Sequence, residues 1–278
     1  MLLSTVTVTG TADLIDGDTS SIAALIATPG NDGEITLREA VQAANNTVGE
    51  DVIEFDQALA GETITLESSL LVFESVSING LGDDQLTLHA DDIASFFDID
   101  LTGDVDGVFN LNNITLTGVT DIAINAHPGN LVLDNITFLG DSTTGGEFVI
   151  HANEITSTTV ISSPYADLTI EAQGEIQFNE MYMGGDTAIY TDGFDVSFSG
   201  VIDSLYDQTI SGTTLVIDVS SGNLTFNASV TINNTGSGDV TIPDGNNVGG
   251  GSSVISDGGS GSGSFTIGGP NLVTSNPE

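Results

Sequence analysis

One feature limits the fold more than any other: a segment that returns in register. Leu111-Asn112-Asn113-Ile114-Thr115-Leu116-Thr117-Gly118 comes back as Leu133-Asp134-Asn135-Ile136-Thr137-Phe138-Leu139-Gly140, offset by 22 residues. A unit this short cannot bury its apolar side alone, so neighbouring copies have to stack on each other. A parallel β-solenoid does this by placing the same apolar position of successive coils one above the next. A Greek-key sandwich has no need for Asn-Ile-Thr to return at a fixed offset.

The rest of the chain speaks the same language. Residues 5–9 read Thr-Val-Thr-Val-Thr, a pure period of two that puts Val on one face and Thr on the other. Similar short runs recur at 63–66, 76–78, 86–88, 96–99, 131–133, 168–170, 194–198, 215–219 and 230–232, separated by Gly, Asn and Asp. This is the pattern of an all-β chain. Helical periodicity is clear once, over residues 37–44, where Leu37, Ala40, Val41 and Ala44 share a face behind an N-cap at Thr36 and a Glu39 three positions on. A weaker helix is expected at 21–27, stopped by Pro29-Gly30.

The run Asp32-Gly33-Glu34-Ile35-Thr36-Leu37-Arg38-Glu39-Ala40-Val41, then Ala44-Asn45 and Gly49-Glu50-Asp51-Val52-Ile53-Glu54-Phe55, is similar to the N-terminal capping segment of bacterial right-handed parallel β-helix repeat proteins. Leu59, Gly61, Thr63-Ile64-Thr65-Leu66 and Ser77-Ile78-Asn79-Gly80 continue the likeness into the first coils. Upstream, Val6-Thr7-Val8-Thr9 and residues 16–25 resemble the version carried by large secreted surface proteins and adhesins. The likeness is specific over residues 5–90 and diffuse beyond about 150. It implies a right-handed parallel β-helix with a short capping helix, displayed at a bacterial surface. We expect an N-terminal strand and cap helix in 1–60, solenoid coils in 61–235, and a Gly/Ser-rich segment with a terminal strand in 236–278.

Charge narrows the partners. The chain has 40 acidic side chains, a single Arg, no Lys and no Cys, for a formal net charge of −39. Neutralising phosphates requires Lys and Arg, so nucleic acid and anionic membrane surfaces are excluded as electrostatic partners. No apolar run is long enough to span a bilayer. The acids are 27 Asp against 13 Glu, and Asp beside Gly and Asn suits tight turns and hard-cation ligation. Calcium is therefore the expected cofactor. The candidate ligands are Asp16, Asp18, Asn31, Asp32, Asp98, Asp100, Asp104 and Asp106, each one or two residues from another oxygen donor or a Gly. The bland alternative is solvated turn acids, since none completes an EF-hand loop or a Gly-Gly-x-Gly-x-Asp array.

Other motifs point away from chemistry. Arg38, in the cap helix beside Glu39 and near Glu34, fits a structural ion pair. A pectate-lyase type of reaction needs basic residues that are absent here, and the field of the chain repels polyuronates. Paired carboxylates of a glycoside hydrolase would have to come from Asp83-Asp84 or Asp91-Asp92, with no Trp for sugar stacking. His89, His127 and His151 are scattered, without metal-ligand spacing. Thr63-Ile64-Thr65 and Thr115-Leu116-Thr117 suggest the Thr faces of ice-binding solenoids, but no regular ladder is visible in the sequence.

The expectation that results is not an enzyme. It is a secreted, extracellular, calcium-stabilised structural or adhesive protein of a bacterial cell surface or biofilm matrix. Its partners are further copies of itself and cell-surface polysaccharide, with a carbohydrate-active enzyme or an ice-binding solenoid as alternatives. Residues 1–4 lack a secretory signal, and with the Asp/Gly richness this suggests type I secretion. Assembly is expected to run head to tail, with the strand at residues 5–9 of one molecule completing the solenoid of the next into a filament or sheet.

Overall fold

The computed structural model describes residues 3–82, 86–91, 93, 95–103, 107–118, 122–140, 146–162, 166–183, 185–191, 194–199, 202–204, 215–218, 223–226, 232–233, 240–242, 247–249 and 265–267. The fold is an all-β parallel β-solenoid of about 5 turns. It divides into two compact units, Met1–Thr137 and Phe138–Glu278.

The first unit runs β1 (Ser4–Val8), α1 (Ile22–Ala27), α2 (Leu37–Asn45), β2 (Asp51–Phe55), a 3₁₀ turn at Gln57–Leu59, β3 (Glu62–Leu66), β4 (Leu70–Val72), β5 (Val76–Asn79), β6 (Leu86–Ala90), β7 (Phe97–Ile99), β8 (Val108–Thr117) and β9 (Ile122–Leu139), the last of which crosses into the second unit. Its strands stack in three parallel columns. β1, β2, β5 and the first half of β8 make one. β3, β6 and the second half of β8 make another. β4, β7 and the first half of β9 make the third.

The period-two alternation explains the interior. Val6, Ile53, Ile78 and Leu111 lie in register along one column and are at most 1% exposed. Ile64, Leu88 and Leu116 repeat this in the second column, and Leu70, Phe97 and Ile124 in the third. Each such buried side chain contributes about 1.5–3 kcal/mol, and Phe97 adds a tilted ring contact with Phe109 at 5.0 Å.

The corner between columns carries the sequence repeat. Asn113 and Asn135 both have left-handed backbone, φ 56° and 59°, a conformation Asn tolerates better than other non-Gly residues. The Asn135 side-chain amide donates to Asn113 Oδ1 at 2.9 Å, so the two copies are joined at the residue that turns the chain. One coil earlier, Gly80 takes the place below Asn113, and a Cβ there would collide with the Asn113 carbonyl oxygen and with Ile114. Outside this corner, Asn112 donates to Asn79 Oδ1 at 2.6 Å.

Both helices begin where the sequence places them. Ser21 caps α1, and Thr36 and Glu39 form a complete capping box on α2. Glu39 does more than cap: it is fully buried, and its carboxylate accepts from the backbone N–H groups of Thr36, Asp16 and Gly17 at 2.8–2.9 Å. A buried charge is tolerable only with such partners.

One expectation requires correction. The segment at residues 5–9 is not free to be donated to another molecule, because β1 pairs with β2 of its own chain over all five residues. Val6 and Val8 are 1% and 0% exposed, and they find Ile53 and Phe55 in the same chain at an effective concentration no second molecule matches.

The second unit continues with β10 (Gly146–Ser162), β11 (Ala166–Ala172), β12 (Ile176–Met183), β13 (Thr187–Thr191), β14 (Val196–Phe198), β15 (Ile202–Ser204), β16 (Leu215–Asp218), β17 (Asn223–Phe226), β18 (Ile232–Asn233), β19 (Val240–Ile242), β20 (Asn247–Gly249) and β21 (Phe265–Ile267). One column runs β10, β11, β13, β16, β19 and β21, again all parallel. The second half of β10 leads through β12 to β14 and β15, then to β17 and β18, and from β17 to β20. Phe138 packs on Phe148 at 5.2 Å and Phe178 stacks on Phe198 at 5.5 Å.

Candidate functional site

The acidic turns divide according to what their carboxylates hold. Asp16 Oδ2 accepts the Asn31 N–H at 2.9 Å, which closes the long cap loop and brings these two candidate ligands together. Gly30, at φ 102°, lets the chain pass the Asp16 carboxylate, where a Cβ would run into it. Asp18 accepts from Ser20, and Asp32 from Glu34, each through its own backbone two residues on. Asp100 takes both the N–H and the hydroxyl of Thr102, and Asp98 takes the Asn125 amide at 2.8 Å. The hydrogen bonds from Ser20 hold the Asp18 carboxyl below its ordinary value of 3.8, and those from Thr102 do the same for Asp100. Asp104 and Asp106 lie outside the described residues, as do Asp83, Asp84 and Asp92. Among the described residues, no three His, Asp or Glu side chains converge as a metal-holding group.

Arg38 is the hub of the capped end. Its Nε and Nη2 form a bidentate pair with Asp13 at 2.7 Å, rather than with Glu39 or Glu34. The other guanidinium bonds go to the carbonyl oxygens of Ser69 at 3.2 Å and Ser68 at 2.6 Å, while Asp13 also accepts the Glu67 N–H. Seven residues along α2, Asn45 donates to the Leu71 carbonyl at 2.7 Å and accepts the Phe73 N–H at 2.8 Å. β4 pairs with β7 on one side. On its other side, these two side chains take backbone groups that a preceding strand would otherwise hold. Helix α2 thus acts as a substitute strand, which is how an open edge is covered without inviting another sheet.

A different feature sits at the start of β2. Asp51 occupies the register position of Ser4, Val76 and Phe109, an inward one, and is 1% exposed. Its Oδ1 accepts the Ser4 N–H at 3.3 Å, and its Oδ2 is buried with no hydrogen-bond partner among the described residues. Burial pushes the carboxyl above the ordinary carboxylate range; the Ser4 N–H opposes this, and nearby Glu74 adds to it. Asp51 lines a cavity of about 250 Å³ together with Glu50, Ser75, Ser77, Val108 and Asn110. Asp51 is not among the candidate ligands, because the turn pattern of the other acids does not extend to a strand position. The available signal was an Asp at the head of a strand, two residues before Ile53, where alternation calls for an apolar side chain.

His89 lies in β6 and His151 in β10, where its Nε2 is 3.2 Å from Glu171. The Thr ladder that the sequence conceals does exist over three coils: Thr63, Thr87 and Thr115 are in register, as are Thr65, His89 and Thr117. It is interrupted by His89, and Thr115 is only 5% exposed. No helix among the described residues is long and apolar enough to cross a membrane. Comparison with family models, with curated proteins and with solved structures finds no match to this chain.

Proposed function

We propose that this chain is a secreted, calcium-stabilised structural protein of a bacterial surface, adhesive or matrix-forming, whose solenoids join end to end. The observation that carries the reading is the outer edge of β1. Val8 O accepts from Asp56 on the β2 side, and the Thr9 N–H points the other way, to Ile35 O. Alternation along a strand therefore turns the N–H and C=O groups of Thr5 and Thr7 away from β2. Among the described residues no further strand pairs there. An unpaired edge of this kind templates another chain. In the second unit, β21 has β19 as its one strand partner among the described residues, and the β21 edge of one copy is the proposed seat for the β1 edge of the next. Each molecule then brings its own complete first layer to the contact instead of lending a strand.

Calcium enters through charge. With a net charge of −39, two copies repel at low ionic strength, and divalent ions held on Asp-rich turns lower that barrier while stabilising each chain. The role is not catalytic in this reading: the one Arg is consumed by the Asp13 clamp. Sedimentation velocity over a concentration series tests it. Species growing in discrete multiples in millimolar calcium and reverting to one in chelator are expected. A single species of monomer mass under both conditions refutes end-to-end assembly.

A further inference from the structure

We propose that the cavity at the head of β2 is a binding site for one hydrated divalent cation, calcium by preference, with Asp51 Oδ2 as its buried anionic ligand. The inference rests on the calcium part of the proposed function but places an ion where none of the turn acids lies. The ladder Ser4–Asp51–Val76–Phe109 is otherwise an interior one, with Val76 at 3% and Phe109 at 0% exposure. An unpaired carboxylate oxygen there is heavily penalised unless a proton or a cation accompanies it. Three observations favour a cation. Oδ2 has no hydrogen-bond partner among the described residues although Oδ1 has one. The carboxylate borders a cavity of about 250 Å³ instead of close-packed side chains, room for an ion and several waters at about 30 Å³ each.

The third observation is the donor set, which is oxygen throughout. Ser77 Oγ accepts the Asn110 amide N–H at 3.0 Å, which leaves the Asn110 carbonyl oxygen as an acceptor beside it. Ser75, whose Oγ accepts the Val108 N–H at 3.0 Å, lines the same cavity. Glu50 lines the rim, and Glu74 is close enough to act on the Asp51 carboxyl. Hydroxyl, amide and carboxylate oxygens with no nitrogen or sulfur ligand select a hard cation. Irregular placement and retained water suit calcium over magnesium, which demands a near-octahedral shell. With one buried carboxylate and neutral oxygens, the affinity belongs to the weak range of extracellular calcium modules, about 10⁻⁴–10⁻³ M.

The test uses the full chain at matched ionic strength, with calcium chloride as probe, magnesium chloride as comparison and EDTA as reference. Thermal melts and equilibrium dialysis with radioactive calcium are read for the wild type, Asp51→Asn, and the turn variants Asp18→Asn and Asp100→Asn. Asp51→Asn is expected to melt higher than wild type in EDTA, because it removes an uncompensated buried charge. It should lose one bound calcium per chain and weaken the saturable melting shift by about 10–100-fold in midpoint concentration. The turn variants should leave that midpoint unchanged. An Asp51→Asn shift equal to wild type overturns the site; if the turn variants lose the shift instead, calcium binding survives as part of the function while this inference fails. No calcium-dependent shift in wild type, with Asp51 protonated by carboxyl ¹³C chemical shift, overturns both. Should Asp51→Asn not fold, Asn110→Ala and Ser77→Ala leave the carboxylate in place, and an unchanged calcium midpoint in both likewise overturns the site.

Discussion

Replacing Arg38 by Ala removes the one fixed positive charge of the chain and four hydrogen bonds at once. Two are the bidentate bonds to Asp13, and two run to the carbonyl oxygens of Ser68 and Ser69. The Arg38 and Asp13 side chains are 17% and 4% exposed, so the pair is largely shielded from solvent. Breaking a buried pair from one side destabilises by about 3–5 kcal/mol, because the partner charge is left uncompensated. Here the Glu67 N–H still binds Asp13, which places the expected loss near the lower end, about 3 kcal/mol. That corresponds to a fall in Tm of about 6–12 °C for a domain of this size class. Because the loss is centred on the edge of β4, hydrogen exchange by mass spectrometry is the sharper assay, and amides over 67–73 should lose about 100-fold protection. Removing Asp13 as well should recover part of the loss, with a coupling energy of about 2 kcal/mol. A loss under about 1 kcal/mol, or strict additivity of Arg38→Ala and Asp13→Ala, would refute the clamp.

Gly80→Ala forces a methyl group against the Asn113 carbonyl and should destabilise by about 1–3 kcal/mol in urea unfolding, whereas Gly61→Ala meets no atom and should suffer only from its φ of 82°. Asn135→Ala loses the bond to Asn113 and keeps the left-handed backbone, so about 2 kcal/mol is expected, with Asn135→Gly recovering about half of it. Asp18 and Asp100 are held below 3.8 by Ser20 and Thr102; their contribution to stability is present above the unfolded value and is lost as pH falls through the lowered folded one. Ser20→Ala and Thr102→Ala should therefore move the corresponding carboxyl ¹³C titration midpoints upward, and unmoved midpoints would mean that these hydrogen bonds do not hold the charge.

The fold was legible because its logic is one-dimensional. Asn113 and Asn135 mark the same corner of successive coils, and the side-chain bond between them is what the 22-residue return encodes. Leu37 through Ala44 declared an amphipathic helix, and Thr36 with Glu39 declared its start. What the sequence hides is pairing across distance. Arg38 sits next to Glu39 in sequence and binds Asp13 instead, because Glu39 turns inward to three backbone N–H groups. The Thr ladder is hidden in the sequence because the coils that build it differ in length, Thr63 to Thr87 to Thr115, so no fixed offset relates them. Asp51 was invisible for a subtler reason: a buried acid at a core position contradicts the alternation used to recognise the strand.

Cysteine-free sequence makes the central claim, assembly through strand edges, open to a direct measurement. Single variants Thr7→Cys on β1 and Thr266→Cys on β21 are purified, mixed in millimolar calcium and treated with a short bifunctional thiol reagent. The mixture is predicted to yield cross-linked pairs that do not form when chelator replaces calcium, while either variant alone stays uncross-linked at the same concentration. Equal cross-linking in the mixture and in each variant alone, or none in any of them, would contradict the account.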